Sequence, residues 1–421
     1  MSEVEIPAKY KIDEVKKRKE ILELPIASPA DEPVKVNLGP SHPAMHGTIK
    51  MIAELVGETI VNIDVEPGFL HRGMEKMCEN RNYVSAIPYT DRLDYVSAFI
   101  NNFGYVGAIE KLFGIEITER CAWLRTLFAE LSRITDHYTC QAAICSETGA
   151  MTPFLYFMQA RDFIWEHFNW ATGARQTYSY ARVGGLARDV TKEWLQKAKQ
   201  ILRDNIPLLK DIHGLMDKNR IFLDRTQGVG EISKEDAINA GITGPFLRAS
   251  GVNYDVRKAM PYLKYDEVEW EVPVGKYGDN YDRWYVRMRE IEESIKICLQ
   301  CIDKIPEGPI NSEDYMAHLP EKTEVYSTIE GLINHFKIII EGPKPPAGSI
   351  YHCVEGANGE LGFFIVSDGS GTAYRLHVRA PSFLIMGVLD KIIIGHQLAD
   401  IIPIFGTVNM VGGECLSLIH I

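Results

Sequence analysis

Two long apolar stripes in the middle of the chain constrain its fold more than anything else in the sequence. Cys121, Leu124, Leu127, Leu131 and Ile134 recur at helical spacing, and Trp284, Met288, Ile291, Ile295, Cys298 and Ile302 do so at alternating four and three. Side chains spaced this way share one side of a helix, and that side has to be buried against another element. Stripes of this length imply a helix bundle. Further helices are expected around 97–113, 153–171, 191–216 and 322–340, with Pro207 and the Gly/Pro-rich loops as kinks or breaks.

The flanks carry a different period. Ile49, Met51, Ala53 and Leu55 fall on one face, Gly57-Glu58 makes a turn, and Val61, Ile63 and Val65 alternate with polar residues, which reads as an antiparallel sheet. Towards the other end, Gly362 to Val366 and Tyr374 to Arg379 flank Ser367-Asp368-Gly369-Ser370-Gly371, a hairpin signal. The fold class is therefore α+β, a central helix bundle with small antiparallel sheets near both termini. The chain divides into an extended charged arm over 1–34, a β-rich part over 35–86, the bundle over 87–340, and a hairpin with a helical segment over 341–421. The last part interlocks with the rest as one fold.

Charge and composition exclude several classes. With 45 Lys and Arg against 57 Asp and Glu, the net charge is −12, and nucleic-acid binding, which needs clustered cations to neutralise phosphate, is not expected. Eight cysteines scattered over 421 residues are not a secreted disulfide framework. The N-terminus lacks the apolar stretch of a signal peptide, and His396, Gln397, Asp400 and Pro403 interrupt the most apolar stretch, Ile392 to Gly413. Any membrane association is expected through partners.

Several chemistries have no motif here. There is no phosphate loop, Gly228-Val229-Gly230 lacks the rest of a dinucleotide fingerprint, and no zinc-protease helix or nucleophile elbow occurs. The single Cys-x-x-Cys, Cys298 to Cys301, supplies only two ligands inside a periodic helix, and is read as a buried face with the second thiol partly exposed.

Two polar segments remain. In Asn37 to Gly47, His42 and His46 are four apart but separated by Pro43 and bounded by Gly39, Pro40 and Gly47, so a helical metal pair is not expected. A rigid loop offering imidazole and backbone donors to a small polar headgroup, or satisfied structural histidines, both fit. The cluster His71 to Lys76 with Tyr89-Thr90-Asp91-Arg92-Leu93-Asp94-Tyr95 could pair as surface charges or line a cleft.

Taken together, these segments resemble the 49 kDa-type core subunit of respiratory complex I, the proton-pumping NADH:quinone oxidoreductase. The matching stretches are Gly39 to Gly47, Gly68 to Gly73, Tyr89 to Tyr95, Gly149 to Phe154, Leu247 to Arg257, Gly359 to Gly362 through Asp368-Gly369, and Arg379 to Phe383. The resemblance implies a fold like the large subunit of nickel-iron hydrogenases, which hold their metals with Arg-x-Cys-x-x-Cys and Asp-Pro-Cys-x-x-Cys. Here Arg92 is kept, Asp94 and Ser97 stand at the first cysteine pair, and Val411 and Glu414 at the second. A nickel-iron centre needs soft thiolates, so no metal is expected in this chain.

The resemblance further implies that the emptied cavity is the headgroup end of a quinone chamber, with His46 and Tyr95 as headgroup ligands. His42, Asp94 and Glu147 would line or support it. Arg72, Arg92 and Thr177 would lie near an iron–sulfur cluster held by a partner, so this chain binds no cofactor alone and takes quinone as substrate. Implied partners are the small subunit with the terminal cluster, the 30 kDa-type subunit, the two-cluster ferredoxin-like subunit and the membrane subunit lining the quinone channel. The implied location is the cytoplasmic side of the cell inner membrane, peripheral. Three features depart from the pattern: Glu147 replaces an aspartate, Thr177 a histidine, and residues 409–421 after Val408 read as a non-native end. Competing readings are an equivalent subunit fed by ferredoxin or a deazaflavin, and a metal-free scaffold.

Overall fold

The structure is a computed structural model that describes residues 33–42, 47–314 and 319–416; most of the expected arm, and His46, lie outside the described residues. The N-terminal sheet joins β1 (Val34–Leu38), β2 (Lys50–Val56) and β3 (Thr59–Glu66) in antiparallel order, with Leu38 opposite Met51 and Ala53 opposite Ile63. Met51, Ala53 and Leu55 point inward as their alternation requires. The register shifts between Glu54 and Leu55. That bulge changes which residue faces inward, so Ile60 is buried where the sequence pattern selects Val61.

After a short helix α1 (Met74–Glu79), the bundle is built from α2 (Ala98–Phe113), α3 (Glu119–Glu147), α4 (Met151–Thr172), α5 (Lys192–Met216) and α6 (Asn280–Lys304). α3 starts where the Thr118 hydroxyl accepts Cys121 N, and α6 where Asp279 accepts Asp282 N at 2.8 Å, each side chain satisfying a first-turn donor. α3, about 44 Å long at its 29 residues, packs along both α4 and α6. Pro207 lies inside α5 without ending it.

The expected helix over 322–340 is two helices, Lys322–Ser327 and α7 (Ile329–Ile340). Thr328 between them is extended and its hydroxyl caps Gly331 N. Near the C-terminus, β4 (Gly348–Glu355), β5 (Glu360–Ser367) and β6 (Arg375–Arg379) form a second three-stranded antiparallel sheet, so the expected hairpin carries a third strand. α8 (Ile401–Val408) then packs against α3 and α6. Cys298 and Cys301 are both fully buried; the second thiol faces the core, not solvent.

Two hydrophobic cores result. One unites the bundle with the inner face of the second sheet through Val354, Leu361, Phe363 and Ile365. The other lies under the first sheet and contains Phe246, Leu389, Phe405, Val408 and Met410. Leu93 belongs to the first and Met410 and Cys415 to the second, so the segment 91–97 meets the C-terminal turn at the seam between them.

Candidate functional site

Tyr95 is held by its neighbours on the approach to α2. Asp94 Oδ1 accepts Val96 N at 3.1 Å and Ser97 N at 3.2 Å, Ser97 Oγ donates to Asp94 Oδ2, and Asn101 Nδ2 donates to Asp94 O at 2.8 Å. Asp94 is buried while Tyr95 is 37% exposed, so a pinned backbone presents the phenol at the edge of the chain. Partial burial, then the negative charges of Asp94 and Asp136, push the phenol above its ordinary pKa and keep its proton.

The arginines close around the same turn. Arg92 Nη1 donates to Pro88 O at 2.7 Å and lies 3.3 Å from the buried Asp91 carboxylate, and Arg72 Nη2 donates to Arg92 O at 3.1 Å. Asp91 also accepts Ser179 N at 2.8 Å and Ser179 Oγ at 2.5 Å, and Gln176 Nε2 donates to Tyr95 O at 3.2 Å. These bonds draw the loop after α4 against Tyr95. Thr177 lies in that loop at φ 61°, a left-handed conformation unusual for a β-branched residue, and so next to the turn carrying Tyr95 and Arg92.

The C-terminal turn completes the site. Gly413 packs directly on the carbonyls of Arg92 and Leu93. Ser382 N donates to Glu414 Oε2 at 3.2 Å, and Ser382 Oγ donates to the same oxygen. Burial, then the Asp94 charge, push Glu414 up to about 8. The four positions that resemble hydrogenase cysteines thus converge as two carboxylates, a hydroxyl and a hydrocarbon side chain, a donor set that does not suit nickel or iron held by thiolates.

Gly47 lies against the same turn, since a Cβ there would come 3.3 Å from Met410 Cε and 3.7 Å from Gly412 Cα. Gly47 is therefore placed beside the turn that packs on Arg92 and Leu93; His46 lies outside the described residues. His42 is exposed. Glu147 lies three turns along α3 from Asp136, about 16 Å, with its carboxylate against Gly406 of α8.

Residues 147–416 match the family of the respiratory-chain NADH dehydrogenase 49 Kd subunit. The chain belongs to this family. It is 55% identical over 91% of its length to an NADH-quinone oxidoreductase subunit of Pelobacter propionicus, covering 95% of that protein. It is 51% identical to the like-named subunit of Myxococcus xanthus, over 90% of this chain and 91% of the relative, and to that of Sorangium cellulosum, over 91% and 95%. The family match runs past Val408 to residue 416. Asn409 donates to Asp136 Oδ1 at 2.8 Å and Glu414 is buried, so the turn after Val408 is packed into this family member.

Sequence reasoning did not single out Asp136, Gln176, Ser382 or Asn409 as site residues. It also missed the ionic core behind them, where Arg133, Arg248 and Arg257 meet Glu130, Asp255, Glu290 and Glu355 with all seven buried. Arg248 reaches Glu290 at 2.6 Å and Glu355 at 2.8 Å, and Arg257 reaches Asp255 at 2.7 Å. Burial alone would push Glu130 up, but Arg133 and Arg257 outweigh it and hold the carboxyl at about 2. The only available signal was Glu130, Arg133 and His137 at helical spacing on α3, which reads equally as a solvated face.

Proposed function

We propose that this chain is the quinone-site subunit of an NADH:quinone oxidoreductase, forming the headgroup end of the chamber around Tyr95 and His46. The observation that carries the reading is the partly exposed phenol of Tyr95 fixed beside Arg72 and Arg92, in front of the buried Asp94 and Glu414, which stand at positions that resemble those of metal-binding thiolates. The names of the relatives, all NADH-quinone oxidoreductase subunits, favour this reading over a ferredoxin- or deazaflavin-fed complex and over a bare scaffold.

Reducing a quinone places negative charge on two carbonyl oxygens and then protons on them. A phenol that keeps its proton donates a hydrogen bond to one oxygen as charge develops, and the imidazole of His46 can do so for the other. His42 and Glu147 support that histidine's loop and the chamber wall. The electrons come from an iron–sulfur cluster in the small partner subunit, which docks near Arg72, Arg92 and Thr177, where fixed positive charge favours its reduced form. The 30 kDa-type, two-cluster and membrane subunits complete the surroundings on the cytoplasmic side of the inner membrane. Among the described residues no helix is long and apolar enough to cross a membrane.

Tyr95→Phe in the assembled complex tests this. Loss of one donor to the developing charge costs about 1–3 kcal/mol, a fivefold to hundredfold fall in quinone reduction, with electron transfer to an artificial acceptor unchanged. Parent-rate quinone reduction by an assembled Tyr95→Phe complex would overturn the assignment.

A further inference from the structure

Behind Tyr95 three carboxylates meet that the scheme above does not use. Asp94 precedes α2, Asp136 lies on α3 and Glu414 on the C-terminal turn, and their exposures are 1%, 1% and 2%. Neutral groups donate to them: the Ser97 hydroxyl and the backbone of Val96 and Ser97 to Asp94, the Asn409 amide to Asp136, and Ser382 to Glu414. Cationic groups face the cluster as well. Arg379 at the end of β6 draws Glu414 down by less than burial raises it, and Arg287 on α6 directs its Nη1 to Thr407 O at 2.6 Å. Among the described residues, the other titratable neighbours are Tyr95 and the protonated thiols of Cys140 and Cys415. Asp94 and Asp136, buried side by side, cannot both stay charged.

The hydrogen-bond pattern points to the proton directly. Asp136 Oδ2 is buried and meets no donor among the described residues; the group facing Asp136 is the Asp94 carboxylate. Two acceptor oxygens come together in this way when one of them carries hydrogen.

We propose that Asp94, Asp136 and Glu414 form a proton store for the reaction at Tyr95, with Asp136 holding a carboxyl proton against Asp94 and releasing it during each turnover. The proposal rests on the quinone-site reading. Quinone takes two electrons from the donor side of the oxidoreductase and two protons, and only O–H bonds change within the store. As the Tyr95 hydroxyl gives its proton to a quinone oxygen, the Asp136 proton passes to Asp94 and on to the phenolate. The cluster is left one charge more negative until a proton from water restores it. Burial, and for Asp136 and Glu414 next the charge of Asp94, raise all three carboxyls, which favours the protonated form of the store. Asp136 is a positioning residue in this scheme, acting through Asp94 and Tyr95.

The test is infrared difference spectroscopy on the assembled complex in its membrane, driven by NADH with a water-soluble short-chain quinone, together with the pH profile of quinone reduction. The parent should show a carboxylic C=O band that shifts in D2O and loses intensity on turnover, and Asp136→Asn should remove it. Quinone reduction by Asp136→Asn should fall about a hundredfold at pH 8, with a smaller loss at pH 6, where other acids can donate. Glu414→Gln, the milder change, should keep the band and move the alkaline limb about one unit to lower pH, because it removes a negative charge from the cluster. A parent complex without the band, or both variants with the parent pH profile, overturns the store. The quinone reading fails separately, if Tyr95→Phe leaves the rate unchanged while the carboxyl band persists, and the store then loses its reaction.

Discussion

Gly413→Ala should disable the site with modest effect on the rest of the molecule. A Cβ at this position would lie 2.5 Å from Arg92 O and closer still to Leu93 O, both backbone atoms that cannot swing aside. Ordinary carbon–oxygen contacts begin near 3.3 Å, so the C-terminal turn and the strand of chain from Arg92 to Tyr95 must part by about 1 Å. Overpacking of this kind costs about 1–3 kcal/mol of stability. The functional cost is larger in proportion, because a 1 Å misplacement of groups that position a substrate is worth about a hundredfold in rate, or about 2.7 kcal/mol of barrier. Gly214, on α5, is the matching control: a Cβ there meets nothing within 4 Å, and Gly214→Ala should stabilise the helix by about 0.5–1 kcal/mol. The assay pairs thermal unfolding with quinone reduction and artificial-acceptor reduction by the assembled complex. Parent-like quinone reduction by an assembled Gly413→Ala complex would show that the seam between Arg92 and the turn does not set the site's geometry.

Three further outcomes are expected. Thr177→His should steepen the pH dependence of the partner cluster's midpoint potential between about pH 6 and 8, where an imidazole titrates; His167, pushed down to about 4 by burial against Trp194 and by Lys197, stays neutral there and should not substitute for it, which redox titration of His167→Gln at several pH values checks. His137 and His167 are both held near 4, so the unfolded chain takes up their protons first as pH falls below 6.5; each contributes up to about 3 kcal/mol that is present above pH 6.5 and lost towards pH 4, and His167→Phe should flatten its share of the melting-temperature loss. Arg248→Met leaves Glu290, Glu355 and Asp255 short of a partner and should cost about 3–5 kcal/mol in denaturant titration.

Period and punctuation carried most of the fold into the sequence. The stripes through Leu124 and Ile291 mark α3 and α6 because one face of each is apolar, and Gly57 marks its hairpin through its turn. The strand Gly348–Glu355 was harder to see: its buried end carries His352 and Glu355, polar residues that ordinarily signal an exposed strand. The same reason hid the ionic core, since charges satisfied by other buried charges look like surface charges until their partners from α6 and β4 are in place. Asp91, Arg92, Asp94 and Tyr95 were legible because they are nearly consecutive. Gln176 and Asn409 were not, because an amide reaching a carbonyl or a carboxylate from a distant segment leaves no spacing to detect.

The seam between the two cores also orders events during synthesis. Arg92 and Glu414 are separated by roughly 320 residues, about 16 to 65 s of translation at 5–20 residues per second. Through that interval Asp94 and Asp136 lack the turn that covers them, and water keeps them ionised. When α8 and the turn after it dock, the carboxylates lose that water at once and have to draw protons from solution. Completion of the site is therefore a proton-consuming step of maturation, and alkaline conditions should slow the closing of the chain over a bundle that is already folded.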